Sequence, residues 1–249
     1  MDSSLIKKVA LVIGGNGGLG YSISKRLIKD GFRVCGTYFN NKQNLESLEQ
    51  LGENIYLSYK CDVKSEDEVK EVIDNIFSRV NKIDVIVFAV SPSLKNKRIL
   101  DLTWYDYNEH IDIQLKTVFL FLKALSEYIR LKNKIKFIIT LSEYCIGNPP
   151  KGLSHYVTAK YAAMGMAKTM ALELAQYNCT VNMISPGMVD TQLIDGLPPK
   201  LIEITADKNP MKRIANPEDV SNMISFLSSN ESDYLNAVNI NINGGSVMF

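Results

Sequence analysis

Histidine is scarce in this chain, and cysteine is present without a pattern. The two histidines, His110 and His155, are too few for a multi-histidine metal site. The four cysteines, Cys35, Cys61, Cys145 and Cys179, include no CxxC pair, which excludes a zinc knuckle and a redox dithiol. They are expected as buried thiols in a reducing compartment. No stretch approaches the roughly 20 apolar residues a membrane helix needs. The run Val9 to Ile13, after Met1-Asp2-Ser3-Ser4-Leu5-Ile6-Lys7-Lys8, is too short for a secretory segment. Glycines follow it rather than a cleavage site, so a cytoplasmic protein with no membrane partner is expected. An excess of one charge is also missing. Lys+Arg is 28 and Asp+Glu is 27, a net charge of +1, which gives no basic field for nucleic acid and no acidic tail. The 249 residues are 46% hydrophobic and 22% charged, which rules out disordered, collagen-like and disulfide-rich classes. A chain of this length buries a core without staples.

What is there is a regular alternation. Short apolar runs, rich in β-branched residues, are each followed by a helical pattern. Strands are predicted at Val9–Ile13, Phe32–Tyr38, Ile55–Lys60, Ile83–Val90, Lys136–Leu141, Thr180–Ile184 and Val238–Ile242. Helices are predicted at Ser22–Lys29, Leu45–Leu51, after a capping box at Ser65-Glu66-Asp67-Glu68, and over Tyr105–Leu131, His155–Tyr177 and Pro217–Leu227. Such a series implies parallel βαβ units whose strands are buried on both faces. No linker or repeat interrupts it, so one domain over 1–249 is expected. The irregular segment Gly187 to Ala215, with Pro198-Pro199 and Pro210, is the expected substrate lid.

Two motifs carry chemistry. The first strand runs into Gly14-Gly15-Asn16-Gly17-Gly18-Leu19-Gly20 and then a helix. Glycines there let the backbone approach a pyrophosphate, and the helix N-terminus favours its charge. The second is Tyr156-Val157-Thr158-Ala159-Lys160. Residues four apart share a helix face, and an ammonium beside a phenol lowers the tyrosine pKa. Such a phenol can exchange a proton with a carbonyl oxygen near neutral pH.

In company, these motifs are more specific. Gly14-xxx-Gly18-Leu19-Gly20, Asp62-Val63, Ile83-Asp84-Val85-Ile86-Val87 and Tyr156-xxx-Lys160 occur in that order. Val181-Asn182-Met183-Ile184-Ser185-Pro186-Gly187 with Thr191, Arg213-Ile214-Ala215-Asn216-Pro217-Glu218-Asp219-Val220 and Asn243-Gly244-Gly245 come after them. The chain resembles the short-chain dehydrogenase/reductase superfamily over nearly its whole length, most of all the 3-oxoacyl-acyl carrier protein reductases and related ketoreductases.

The resemblance implies an α/β fold, a three-layer, doubly wound parallel sheet (Rossmann fold) of about seven strands flanked by helices. It implies hydride transfer between a nicotinamide and a carbonyl/alcohol pair. Tyr156 would be the general acid in reduction. Lys160 would lower its pKa and bind the nicotinamide ribose. Gly14, Asn16, Gly17, Gly18, Leu19 and Gly20 would receive the pyrophosphate. Asp62 and Val63 would border the adenine, and Pro186, Gly187, Val189 and Thr191 would hold the nicotinamide end. A homotetramer, or less often a dimer, would form through the helices Tyr105–Leu131 and His155–Tyr177 and the C-terminal strand, with Val247-Met248-Phe249 buried there.

The chain departs from the family around the reaction centre. Phe88-Ala89-Val90-Ser91 stands where an Asn-Asn-Ala-Gly turn is usual, with Ala89 against the cofactor. Ile13 replaces a threonine. The asparagine of the long fifth helix maps onto Gln114, one methylene longer. The serine position thirteen residues before the tyrosine is Glu143, and Ser142 serves if the loop carries one extra residue. A carboxylate there would repel developing negative charge unless protonated, or bind a cationic or hydroxyl-rich substrate. His155, on a different side of the helix from Tyr156, is expected as a surface or loop-contact residue and not a catalyst.

At the end of the second strand, Thr37-Tyr38-Phe39-Asn40-Asn41-Lys42 holds no carboxylate to repel a 2′-phosphate, and Asn40, Asn41 and Lys42 could contact one. Gly17 and Phe39 stand where NADP-preferring relatives place a basic residue. NADPH is the expected cofactor, with NADH as the alternative. The substrate is a small or carrier-bound carbonyl compound, with Lys132, Lys134 and Lys136 as candidate carrier contacts. The alternatives are a binding or scaffold protein on the same frame, or a related dehydratase or epimerase.

Overall fold

The computed structural model describes residues 8–248, so the reading of Met1 to Lys7 and of Phe249 falls outside the described residues. Seven strands form one all-parallel sheet: β1 Val9–Ile13, β2 Arg33–Tyr38, β3 Tyr56–Lys60, β4 Val85–Phe88, β5 Lys136–Thr140, β6 Thr180–Pro186 and β7 Asn239–Ile242. Their order is β3-β2-β1-β4-β5-β6-β7. Every residue of β1 and β4 is buried, as continuous apolar runs require when helices cover both faces.

One helical layer holds α1 Gly18–Lys29 and α9 Pro217–Ser228, which pack on each other. Ile23, Leu27, Val220 and Ile224 join them to Val12, Val34 and Val87 of the sheet. The other layer holds α3 Glu66–Val80, the long helical stretch 104–130 and α7 Ser154–Leu174, over Leu11, Ile86 and Phe137. Each fully buried Leu, Ile or Phe contributes on the order of 2 kcal/mol from area removed from water.

Several elements differ in detail from the sequence reading. The short α2 covers only Glu46–Glu49. Ser65 does cap α3 by accepting the Glu68 amide, but the Glu68 carboxylate accepts the Asp62 amide instead of closing the box. The stretch predicted as one helix over Tyr105–Leu131 is α4 Trp104–Ile111, a π-helical turn Asp112–Lys116, α5 Thr117–Ala124 and α6 Ser126–Arg130. The irregular 187–215 segment contains a ten-residue helix, α8 Pro199–Lys208. Pro199 opens it, since proline suits a first helical position. All four cysteines are free and buried, as expected. No helix among the described residues is long and apolar enough to cross a membrane.

Candidate active site

The chain turns outward from β1 in one direction to β2 and β3, and in the other to β4. That switch point leaves a crevice at the carboxyl ends of β1 and β4. The glycine loop sits in it. Gly14 has a φ of +85°, and a Cβ there would meet the Ala89 carbonyl oxygen at 3.0 Å. The Gly14 amide donates to Thr37 Oγ1 at 3.0 Å, and the Gly15 amide to the Thr37 carbonyl at 2.8 Å. Thr37 thus anchors the loop from the neighbouring strand. A side chain at Gly20 would strike the Gly14 carbonyl, so glycine is required for α1 to start under the loop.

Two cavities meet over this loop. The first, about 330 Å³, lies between β5, α7 and the segment after β6. The second, about 430 Å³, lies beyond β2. Gly17, Val90 and Ser91 line both, so the pair forms one elongated cleft across the switch point. A glycine cradle with a cavity on either side fits a dinucleotide.

The far cavity is bordered by Gly14, Asn16, Thr37, Phe39, Asn40 and Asp62, with Val63 beside them. Asn16 donates to Asn41 Oδ1 at 2.6 Å and accepts the Asn44 amide at 3.0 Å, which pins the loop after β2. Lys42, expected here, does not line the cavity: its ammonium lies 2.9 Å from Glu49. Lys64 lines it instead. The sequence reading missed Lys64, although its place directly after Asp62-Val63 is a usable signal.

The near cavity gathers Ser142, Tyr156 and Lys160 on one wall, with Leu19, Ala89, Pro186, Gly187, Val189 and Thr191 around it. Tyr156 and Lys160 stand one turn apart on α7, and Ser142 caps the short turn after β5, where Tyr144 donates its amide to Ser142 Oγ at 3.3 Å. Lys160 Nζ donates to the Thr140 carbonyl at 2.8 Å and lies 5.6 Å from the centre of the Tyr156 ring. Burial lowers the ammonium to about 8. The phenol differs from the expectation of a lowered pKa. Burial pushes it up, and Ser142 pulls only partly against that.

Glu143 turns the other way. Its carboxylate accepts from Ser246 on the C-terminal loop, and burial raises its pKa. It borders a separate cavity behind Gly187, while Ser142 faces the tyrosine. Gln114 is buried in the π-helical turn and pairs with His110 and, weakly, with Ser91. His155 is not a surface residue; it is 2% exposed, against His110. The sequence shows one face of α7 and not that α4 covers another. Gln192, which no sequence motif marks, accepts the Gly18 amide at 3.1 Å and draws the lid onto the start of α1.

A family model described as Enoyl-(Acyl carrier protein) reductase matches residues 14–246. The chain belongs to the short-chain dehydrogenase/reductase family. Curated members of this family are similar over the full length. A 3-oxoacyl-acyl-carrier-protein reductase FabG of Staphylococcus epidermidis is 30% identical over 98% of this chain and all of its own. One of Thermotoga maritima is 30% identical over 97% of this chain and 98% of its own. Among solved structures, a short chain dehydrogenase from Bacillus anthracis superposes with a TM-score of 0.87 at 25% identity, covering 99% of both chains. A levodione reductase superposes at 0.89, also at 25% identity, covering 97% and 98%. Membership makes the chain an oxidoreductase of the short-chain type with a nicotinamide nucleotide as cofactor. The sheet order and the seven parallel strands agree with the fold expected from the sequence.

Proposed function

We propose that the chain is an NADPH-dependent ketoreductase whose substrate is an uncharged carbonyl compound with an apolar body, a 3-oxoacyl thioester above all. The convergence of Ser142, Tyr156 and Lys160 on one wall of the near cavity carries this reading. When bound, the nicotinamide supplies the hydride. Burial keeps the Tyr156 phenol protonated at neutral pH, so it is set to donate a proton to the carbonyl oxygen. Ser142 Oγ steadies that oxygen. The Lys160 ammonium stabilises the phenolate left behind, and Gln114, behind the cavity wall, holds His110 and Ser91. Leu94, Leu153, Leu193, Ile194 and Leu197 exclude water from the remaining walls. Among the described residues, Lys160 is the one cation in the lining, so a substrate carboxylate or phosphate would have no partner near the reacting carbon.

NADPH is favoured by Phe39, Asn40 and Asn41 in place of a carboxylate, with Lys64 as the nearby cation. A homotetramer or dimer is supported by Trp104 and Leu172, which are 69% and 79% exposed on α4 and α7. Of the three lysines considered for carrier docking, Lys134 and Lys136 are engaged elsewhere. Lys136 lies at the first residue of β5, at the opposite end of the strand from the cavity, and both it and Lys134 pair with Asp233. Titration with NADPH and NADH, read by nicotinamide fluorescence, tests the cofactor reading. NADPH is expected to bind at least about tenfold more tightly, a difference of about 1.4 kcal/mol. Tighter NADH binding contradicts it.

A further inference from the structure

Behind the wall that carries Ser142, three segments far apart in the chain meet on one turn. Glu143 follows Ser142, and the backbone at Ser142 is extended, with φ −158° and ψ 151°. Consecutive side chains of an extended backbone point to opposite sides. Ser142 accordingly lines the near cavity with Tyr156, and Glu143, 6% exposed, faces the C-terminal turn 243–247. There its carboxylate accepts from the Ser246 hydroxyl. Val247 sits on Gly147, where a Cβ would come within 2.7 Å of Val247 Cγ2. The loop 143–147 is therefore held to the C-terminal turn at both of its ends.

The turn has its own support, and it reaches the lid. The Asn243 side chain accepts the Gly245 amide at 3.1 Å and donates to the Val247 carbonyl at 3.1 Å. Asn209, which ends α8, accepts the Met211 amide and donates to the Asn243 carbonyl, both at 2.8 Å. Backbone groups have fixed donor and acceptor roles, so these contacts leave neither side-chain amide free to turn over. Gly187, which lines the near cavity, lies against the same cluster. A Cβ there would stand 3.3 Å from the Asn243 α carbon and 3.4 Å from Glu143 Oε1.

We propose that Glu143 is a positioning residue: gripped by Ser246, it sets the extended backbone that holds Ser142 toward Tyr156, and the C-terminal turn ties this setting to the lid through Asn243 and Asn209. The inference deepens the ketoreductase reading and rests on it. Its physical basis is the cost of a buried carboxylate without a hydrogen bond. That cost keeps Glu143 on Ser246, and the backbone at Ser142 cannot turn without pulling Glu143 away. A neutral acceptor of the same length would serve as well, because the hydrogen bond and not the charge makes the grip. A shift of the lid at Asn209 reaches Ser142 through the same contacts.

Hydrogen exchange of the chain without nucleotide, read by mass spectrometry, tests the clamp independently of any reaction. Ser246→Ala is expected to speed exchange over 141–147 about tenfold and to leave α1 and α3 as in the wild type. Glu143→Gln, which still accepts from Ser246, is expected to keep the slow exchange. Asn209→Ala is expected to speed exchange over 141–147 as well. With a 3-oxoacyl thioester, Ser246→Ala is expected to lower kcat roughly tenfold, with KM and NADPH affinity within about twofold, and Glu143→Gln to retain the rate. Unchanged exchange over 141–147 in Ser246→Ala, or a rise spread equally over α1 and α3, overturns the proposal. So does faster local exchange with an unchanged kcat, which would make the clamp structural alone. Unchanged exchange in Asn209→Ala overturns the link to the lid. A wild-type protein that reduces no carbonyl with NADPH would instead overturn the ketoreductase reading, with the exchange still judging the clamp.

Discussion

At the scale of the residue, the site is governed by burial more than by pairing. Tyr156 and Lys160 are shifted in opposite directions by the same cause, loss of water around the charged form. The phenol keeps its proton and the ammonium gives it up more readily. Reduction needs the phenol protonated at the start, and the Lys160 ammonium has to offset the weaker acidity that burial gives it. It also sets a pH limit. Lys160 deprotonates above about 8, and its charge is then lost from beside the developing phenolate. The rate of carbonyl reduction is therefore expected to hold on the acid side of that value and to fall by about tenfold per pH unit beyond it. Steady-state rates across that range check this, and a flat profile to about pH 10 contradicts it. The Tyr-xxx-Lys pair is legible from its spacing together with the motifs that accompany it. The choice between Ser142 and Glu143 is not, because adjacent residues after a strand point to opposite sides, and only the loop geometry tells which faces the tyrosine. His155 departs from expectation for the same kind of reason. Its burial comes from a helix distant in sequence.

Elements place these residues. The glycine loop works because β1 ends beside β2 and α1 starts close behind it, with no room between the Gly14 carbonyl and the α carbon of Gly20. Gly20→Ala is expected to push α1 off the loop, costing about 1–3 kcal/mol in stability and weakening nucleotide binding more than about tenfold. Chemical denaturation and nucleotide titration of that variant measure both. A variant with unchanged affinity contradicts the close approach. The seven strands are legible to within about two residues at each end, and the central ones most clearly, since strands buried on both faces leave unbroken apolar runs bounded by turns. The interruption of the long helix at Asp112–Lys116 is not, because a π-helical turn has no composition of its own. Pro198-Pro199 reads as loop in the sequence, yet the second proline begins α8. Proline breaks a helix from inside and suits its first position, so a proline pair alone does not say whether a helix starts there.

Across the whole molecule, the chain alone leaves large apolar side chains uncovered on α4, α5 and α7, among them Trp104, Phe119 and Leu172. Exposed apolar surface of this kind marks an association face. Light scattering is expected to give four, or two, times the chain mass of 27.9 kDa; a monomer contradicts the assembly. The cleft is lined along its length by described residues of one chain. It runs from the loop after β2, over the glycines, to the wall formed by α7 and the lid. The central claim is that this cleft reduces a carbonyl with Tyr156 as the proton donor. The most direct measurement follows NADPH oxidation with a 3-oxoacyl thioester, in the wild-type protein and in Tyr156→Phe. The account predicts steady turnover by the wild type. It predicts a loss of at least about a hundredfold in the variant, which should still fold and still bind the nucleotide. Turnover by Tyr156→Phe at the wild-type rate would contradict it.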